Sequence, residues 1–201
     1  FVTGFPKKPA IDFEHLAEIT AHSVRFLDNV LDMNHYPLPA IEAMTKGNRK
    51  IGLGVMGFAD LLIKLGIPYD TEEAVATGEQ VMQFVWEQSH ATSARLATER
   101  GVFKNFKGSR LESEGRRLRN ATVTPVAPTG TIRIIADCSP GIEPLYGVSY
   151  ARTVMDDVRL TALHPEFVRR ARVAGIYSPQ LAAKVAANES IQDLTEIPDD
   201  L

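Results

Sequence analysis

Asn120-Ala121-Thr122-Val123-Thr124-Pro125-Val126-Ala127-Pro128-Thr129-Gly130-Thr131 is the stretch on which the reading of this fold turns. Ala121 to Val126 is short, apolar and β-branched, the signature of a strand. It runs into Ala127-Pro128-Thr129-Gly130-Thr131, a turn composition. A helix beginning near Thr129 would leave its first amides without internal partners, with the positive end of the helix dipole behind them. Gly130 would let an anion approach the backbone, and Thr129 and Thr131 would add hydroxyl donors. Such a corner is a phosphate cradle without a Walker lysine. The same residues suit an ordinary capped turn equally well, and composition alone does not separate the two.

Working outward, Ile132 to Ala136 is apolar and fits either strand or helix. On the N-terminal side, Asp12 is placed to cap a helix running to about Met33. Its expected apolar stripe is Phe13, Leu16, Ile19, Ala21, Val24, Leu27, Val30 and Leu31. Pro37 and Pro39 stop it, and a short helix from Ala40 to Lys46 follows. Lys50 to Val55 reads as a short buried strand, and Gly57 to Leu65 as a helix ended by Gly66. Asp70 and Glu73 suggest a capping box before a long helix ending near Gly101. Its expected buried face carries Val75, Val81, Met82, Val85 and Trp86. Lys104 to Arg119 is polar and basic, a loop with one helical turn. Leu145 to Val154 looks extended, and Pro165 to Ala174 and Pro179 to Asn188 look helical. Strands alternating with helices argue for an α/β fold.

Composition bounds the function. The chain has 201 residues, 44% apolar and 23% charged, with a net charge of −3. These values describe an ordinary globular protein with no global basic field for nucleic acid. No apolar run has the length of a membrane span. The start, Phe1-Val2-Thr3-Gly4, lacks a leader pattern and an initiator Met, so a fragment or processed chain is expected. Cys138 is the only cysteine, which excludes an internal disulfide and a cysteine zinc site. Its scarcity suits the cytoplasm.

Other constellations have plainer readings. Gly52-Leu53-Gly54-Val55-Met56-Gly57 fits G-x-G-x-x-G. The preceding Lys46-Gly47-Asn48-Arg49-Lys50 leaves no full strand before it, and Asp70 opens a helix instead of closing a second strand. Close backbone packing is the competing explanation. Cys138 lies in Cys138-Ser139-Pro140-Gly141-Ile142-Glu143-Pro144 with no histidine within ten positions, and reads as a small apolar residue. Glu143, between Ile142 and Pro144, is placed to brace a loop. His15, His22, His35, His90 and His164 are too scattered for a metal site. Arg110, Arg116, Arg117 and Arg119 read as a solvated face or a contact patch.

Taken together, these segments resemble one family. Asn48 through Asp60, then Glu99-Arg100-Gly101-Val102-Phe103, then Arg119 through Ile132, then Gly141-Ile142-Glu143-Pro144, occur in the order and spacing of the ribonucleotide reductase large chain. The Ala-Pro-Thr-Gly-Thr-Ile form resembles the adenosylcobalamin-dependent class II enzymes. The resemblance implies that 1–201 is one partial domain from the ten-stranded α/β barrel, helix-rich with few strands. It implies thiyl-radical reduction of ribonucleoside diphosphates, with adenosylcobalamin as radical source and a thioredoxin-like or glutaredoxin-like reductant. The implied partners are the ribonucleotide substrate and a second copy in a homodimer, with no nucleic acid and no membrane. It assigns substrate phosphate binding to Pro128, Thr129, Gly130, Thr131 and Ile132, and no catalytic or metal residue.

Two departures qualify the resemblance. The family's Asn-Pro-Cys-Gly-Glu radical motif is missing here and is expected upstream, so this segment alone should not turn over. Arg133 stands where the family commonly has a small residue, and it is expected to point outward. The alternatives are a non-catalytic helical interaction fragment and a Rossmann-type nicotinamide-binding domain around Gly52 to Gly57.

Overall fold

The computed structural model describes residues 1–154, 158–187 and 190–198. They fall into two compact units, Phe1–Glu143 and Pro144–Leu201.

The first unit opens with β1 (Val2–Thr3), antiparallel to β2 (Ala10–Ile11). Helix α1 (Phe13–Met33) starts where expected: the Asp12 carboxylate accepts from the His15 amide at 3.0 Å. Its inward row is Leu16, Thr20, Val24 and Asp28, an i, i+4 ladder. Ile19 and Val30, expected in the stripe, are exposed. Two polar residues occupy that row, so counting apolar residues alone rotates the apparent face. Helix α2 (Pro39–Asn48) uses Pro39 in its first turn, where a missing N–H costs nothing. Helix α3 (Phe58–Leu65) ends on left-handed Gly66.

Helix α4 (Glu72–Arg100) is the long helix. Its cap is Thr71 rather than Asp70: the Thr71 hydroxyl accepts from the Ala74 amide at 3.2 Å. Thr71→Ala should therefore cost about 1 kcal/mol, read by chemical denaturation, while Asp70→Ala should cost far less. The buried face is Ala74, Val81, Val85, Ser89, Thr92, Ser93, Leu96 and Ala97. Val75 and Trp86, expected inside, are exposed. Small residues take the inward positions because α4 packs along α1. A 3-10 turn (Lys104–Phe106), α5 (Arg110–Ser113) and α6 (Ile132–Ala136) complete the unit.

Extended segments lie between these helices. The Ala121, Ile51 and Leu53 amides donate to the Asn48, Thr122 and Val123 carbonyls at 3.1, 3.1 and 2.7 Å. Partner numbers rise together, so 48–53 and 121–123 run parallel. They form no regular ladder. Pro125 has no N–H with which to continue one. Val24, Ile51, Leu96 and Val123 form one buried cluster beneath them, and Leu16, Val81 and Val85 another.

In the second unit β3 (Ser149–Val154) pairs antiparallel with β4 (Val158–Leu163), from Ser149 opposite Leu163 to Val154 opposite Val158. The sequence reading did not anticipate β4, although Val158-Arg159-Leu160-Thr161-Ala162 alternates with period two. Helices α7 (Pro165–Val173) and α8 (Pro179–Ala187) fall where expected, except that Asn188 lies outside the described residues. Phe167, Ala171, Leu181 and Val185 are their core.

Candidate functional site

The corner after Val126 is open to solvent. Pro128, Gly130, Thr131 and Ile132 are exposed and Thr129 is half-buried. The helix begins at Ile132, later than expected. Thr129 instead sits in the left-handed region, with φ 52°. The chain therefore makes a tight turn first, and the first helical bonds are Arg133 N–H to the Thr129 carbonyl and Ile134 N–H to the Thr131 carbonyl, each 3.1 Å. Among the described residues, none accepts from the amides of Thr129, Gly130, Thr131 or Ile132. A Cβ built on Gly130 would meet nothing within 4 Å. These amides, unspent and accessible, are the property a phosphate cradle requires.

Thr129 also differs from its expected role. Its hydroxyl oxygen accepts from the Gly141 amide at 2.7 Å, so its lone pair braces the turn while its proton stays available. Gly141 is buried at φ 46°, and a Cβ there would lie 2.7 Å from the Ala127 carbonyl oxygen. Only glycine lets the 139–141 loop lie flush on the turn. Arg133 is half-buried, and its charge acts on Cys138. Burial, with Asp60 and Asp137 nearby, pushes the Cys138 thiol up despite Arg133.

Gly52 to Gly57 is backbone packing. A Cβ on Gly52 would lie 2.9 Å from the Pro125 ring, and one on Gly57 would lie 3.3 Å from Cys138 Cβ. The Gly57 amide is spent on the Ser139 carbonyl at 2.8 Å. A dinucleotide loop needs such amides for the pyrophosphate.

At the start of the 121–123 segment lies a polar network that the sequence reading missed. Asp28 is fully buried on α1. Its carboxylate accepts from Arg49 Nε at 2.8 Å, Asn120 Nδ2 at 3.0 Å and Arg100 Nη1 at 3.1 Å. Arg119 Nε approaches it at 3.4 Å. Arg49 also forks onto Asp32, at 2.8 and 2.9 Å. Asn120 is closed off by Ser93 of α4, whose hydroxyl donates to Asn120 Oδ1 at 2.9 Å and accepts from the Asn120 amide at 3.1 Å. Burial raises the Asp28 carboxyl, but Arg49, Asn120 and Arg119 outweigh it and hold it below the usual range. The network joins α1, α4 and the starts of both extended segments. Arg119, half-buried, thus ties into this network instead of standing on a fully solvated face.

The other candidates stay plain. Among the described residues no group of three or more His, Cys, Asp or Glu could hold a metal ion. Among the described residues no helix is long and apolar enough to cross a membrane. An apolar pocket of about 240 Å³ lies between α3, α4 and Ile142.

Parallel extended segments flanked by helices, with a turn of unspent amides at the end of one, define a piece of an α/β fold. Residues 1–116 and 110–201 match the family "Ribonucleotide reductase, barrel domain", and the chain belongs to that family. It is 47% identical over 184 residues to the vitamin B12-dependent ribonucleoside-diphosphate reductase of Thermoplasma acidophilum, covering 92% of this chain and 24% of that protein. It is 43% identical over 188 residues to the like-named protein of Mycobacterium tuberculosis strain H37Rv, covering 94% and 26%. The class Id ribonucleotide reductase alpha subunit of Actinobacillus ureae superposes with a TM-score of 0.73 at 22% identity, over 91% of this chain and 33% of that one. The chain thus spans about a quarter of the length of these sequence relatives. The barrel assignment holds, and Gly52 to Gly57 is part of a barrel segment and not a nicotinamide loop.

Proposed function

We propose that this chain supplies the substrate phosphate-binding corner of an adenosylcobalamin-dependent ribonucleotide reductase. The observation that carries the reading is the run of unspent amides from Thr129 to Ile132, opening onto free space at Gly130. An anion seated there would accept from these amides and from the Thr129 and Thr131 hydroxyls. Pro128 and Ile132 bound the corner on either side. Each ionic hydrogen bond contributes on the order of 1.5–3 kcal/mol.

The names of the relatives support a ribonucleoside diphosphate as substrate and vitamin B12 as cofactor of the full-length enzyme. Turn amides and hydroxyls suit an anion rather than a corrin ring, and no residue of this chain is assigned to the cofactor. When bound, adenosylcobalamin supplies the radical that the family passes to a cysteine. Cys138 lies outside the Asn-Pro-Cys-Gly-Glu pattern that carries the family's radical cysteine, standing instead in Cys138-Ser139-Pro140-Gly141, and we do not assign it that role. A thioredoxin-like or glutaredoxin-like reductant, a homodimer and the cytoplasm complete the proposed setting.

Titration of isotope-labelled chain with a ribonucleoside diphosphate, and separately with inorganic pyrophosphate, tests the assignment. Amide resonances of Thr129, Gly130, Thr131 and Ile132 should shift with both. Shifts confined to other residues would reject it.

A further inference from the structure

We propose that Asp60 is a positioning residue for the phosphate corner, acting through the Ser139–Gly141 loop on Thr129. The inference rests on the phosphate-binding reading of that corner and deepens it.

Asp60 lies in the first turn of α3 and is half-buried. Its Oδ2 accepts from the Ser139 amide at 2.6 Å, a charge-assisted bond in a partly desolvated setting. The α3 start contributes further ties. Gly57 N–H donates to the Ser139 carbonyl at 2.8 Å, and Phe58 N–H reaches the Gly141 carbonyl at 3.4 Å. The Asp60 amide faces Ser139 Oγ at 3.4 Å. Amides that a helix start leaves unpaired are thus taken up by one loop. Ser139, Pro140 and Gly141 are all buried, and Pro140 restricts the link between the other two.

The far end of this loop meets the corner. Gly141 N–H donates to Thr129 Oγ1 at 2.7 Å. Thr129 occupies φ 52°, a region that residues other than glycine disfavour. A strained residue persists only where its surroundings over-determine it. Here the surroundings are Gly141, and Gly141 is placed by Ser139 and hence by Asp60. The Thr129 conformation in turn sets the direction in which the chain, and the amides that follow, leave the turn. The Asp60 carboxylate is the ionic member of an otherwise neutral set of ties, so it is the one whose removal loosens the loop most. Relaxation of Thr129 toward negative φ would scatter the amides and weaken anion binding without touching the reacting atoms.

The test uses the full-length reductase that carries this chain, with inorganic pyrophosphate as a competitive inhibitor. Asp60→Ala should raise the nucleotide KM and the pyrophosphate inhibition constant together, by about tenfold, the factor one ionic hydrogen bond carries. Changes in kcat should be smaller. Asp60→Asn keeps an acceptor oxygen and should recover most of the loss. A purely structural role would lower the melting temperature and leave KM and the inhibition constant alone. A folded Asp60→Ala enzyme with both constants unchanged overturns the proposal. If that variant does not fold, Asp60→Glu carries the test, because it keeps the charge and displaces it by one methylene; unchanged constants there overturn it equally. Pyrophosphate failing to compete in the unmodified enzyme would remove the corner reading and this inference with it. Competition that survives Asp60→Ala intact would remove only the role of Asp60.

Discussion

Asp28→Ala should destabilise the chain by roughly 3–5 kcal/mol, the cost of removing one partner from a buried ionic network. The cause is what stays behind. Arg49, itself buried, loses the bond to its Nε and keeps only Asp32 and the Asp28 carbonyl. Asn120 loses the acceptor for one of its Nδ2 bonds and keeps the Arg49 carbonyl. Arg100 and Arg119 lose a counter-charge. For a unit of this size each kcal/mol moves the melting temperature by about 2–4 °C, so a fall near 10 °C is expected. Asp28→Asn keeps the shape and should cost less, roughly 2 kcal/mol. A melting temperature within a degree or two of the parent for Asp28→Ala would show that the network contributes no stability.

The same network fixes the acid limb of stability. Burial raises the Asp28 carboxyl and the arginines overcome it, while the hydrogen bond from Arg49 leads in lowering Asp32. Both carboxyls are therefore below their unfolded values, near 3.9. The stability they contribute is complete above that pH and is lost as pH falls through the folded values. Denaturation at pH 6 and pH 3 should show the gap between parent and Asp28→Ala narrowing at the lower pH. A gap that widens on acidification would reverse the sign of this argument.

What was legible in the sequence follows from range. The Asp12 cap, the Gly66 and Gly101 stops and the two helices after Leu163 depend on neighbours within a turn. These local rules gave the right elements. Asp28 and Arg49 were invisible because their partners lie far along the chain. Asp28 looks like any charge on an amphipathic helix until Asn120, 92 positions away, is folded against it. Arg49 carries one local clue: it ends α2 in the left-handed region, where Gly or Asn is usual. Trp86 and Val75 misled because apolar counting ranks them above Ser89 and Ser93. Close approach of α1 to α4 favours the small residues. At the corner the turn composition was legible and the backbone geometry was not. Thr129, at positive φ, accepts from the amide of Gly141, twelve residues on, a partner that the turn composition does not reveal.

Gly141 and Gly130 should respond to alanine in opposite ways, and the contrast separates the frame of the corner from its mouth. Gly141→Ala forces a side chain into a left-handed residue and drives its Cβ to 2.7 Å from the Ala127 carbonyl oxygen. Backbone cannot retreat there as a flexible side chain would. The strain and the overpacking together should cost about 2–4 kcal/mol. The bond to Thr129 Oγ1 should lengthen or break, so pyrophosphate binding falls as well. Gly130→Ala meets nothing within 4 Å, and Gly130 does not occupy the left-handed region. Its stability should stay within about 0.5 kcal/mol of the parent. Its new methyl instead projects into the space proposed for the anion, so pyrophosphate binding should weaken about tenfold or more at unchanged melting temperature. Calorimetric titration alongside thermal denaturation reads both quantities on the same samples. If Gly130→Ala binds pyrophosphate as the parent does, the anion does not sit over Gly130, and the open amides of this turn serve something else.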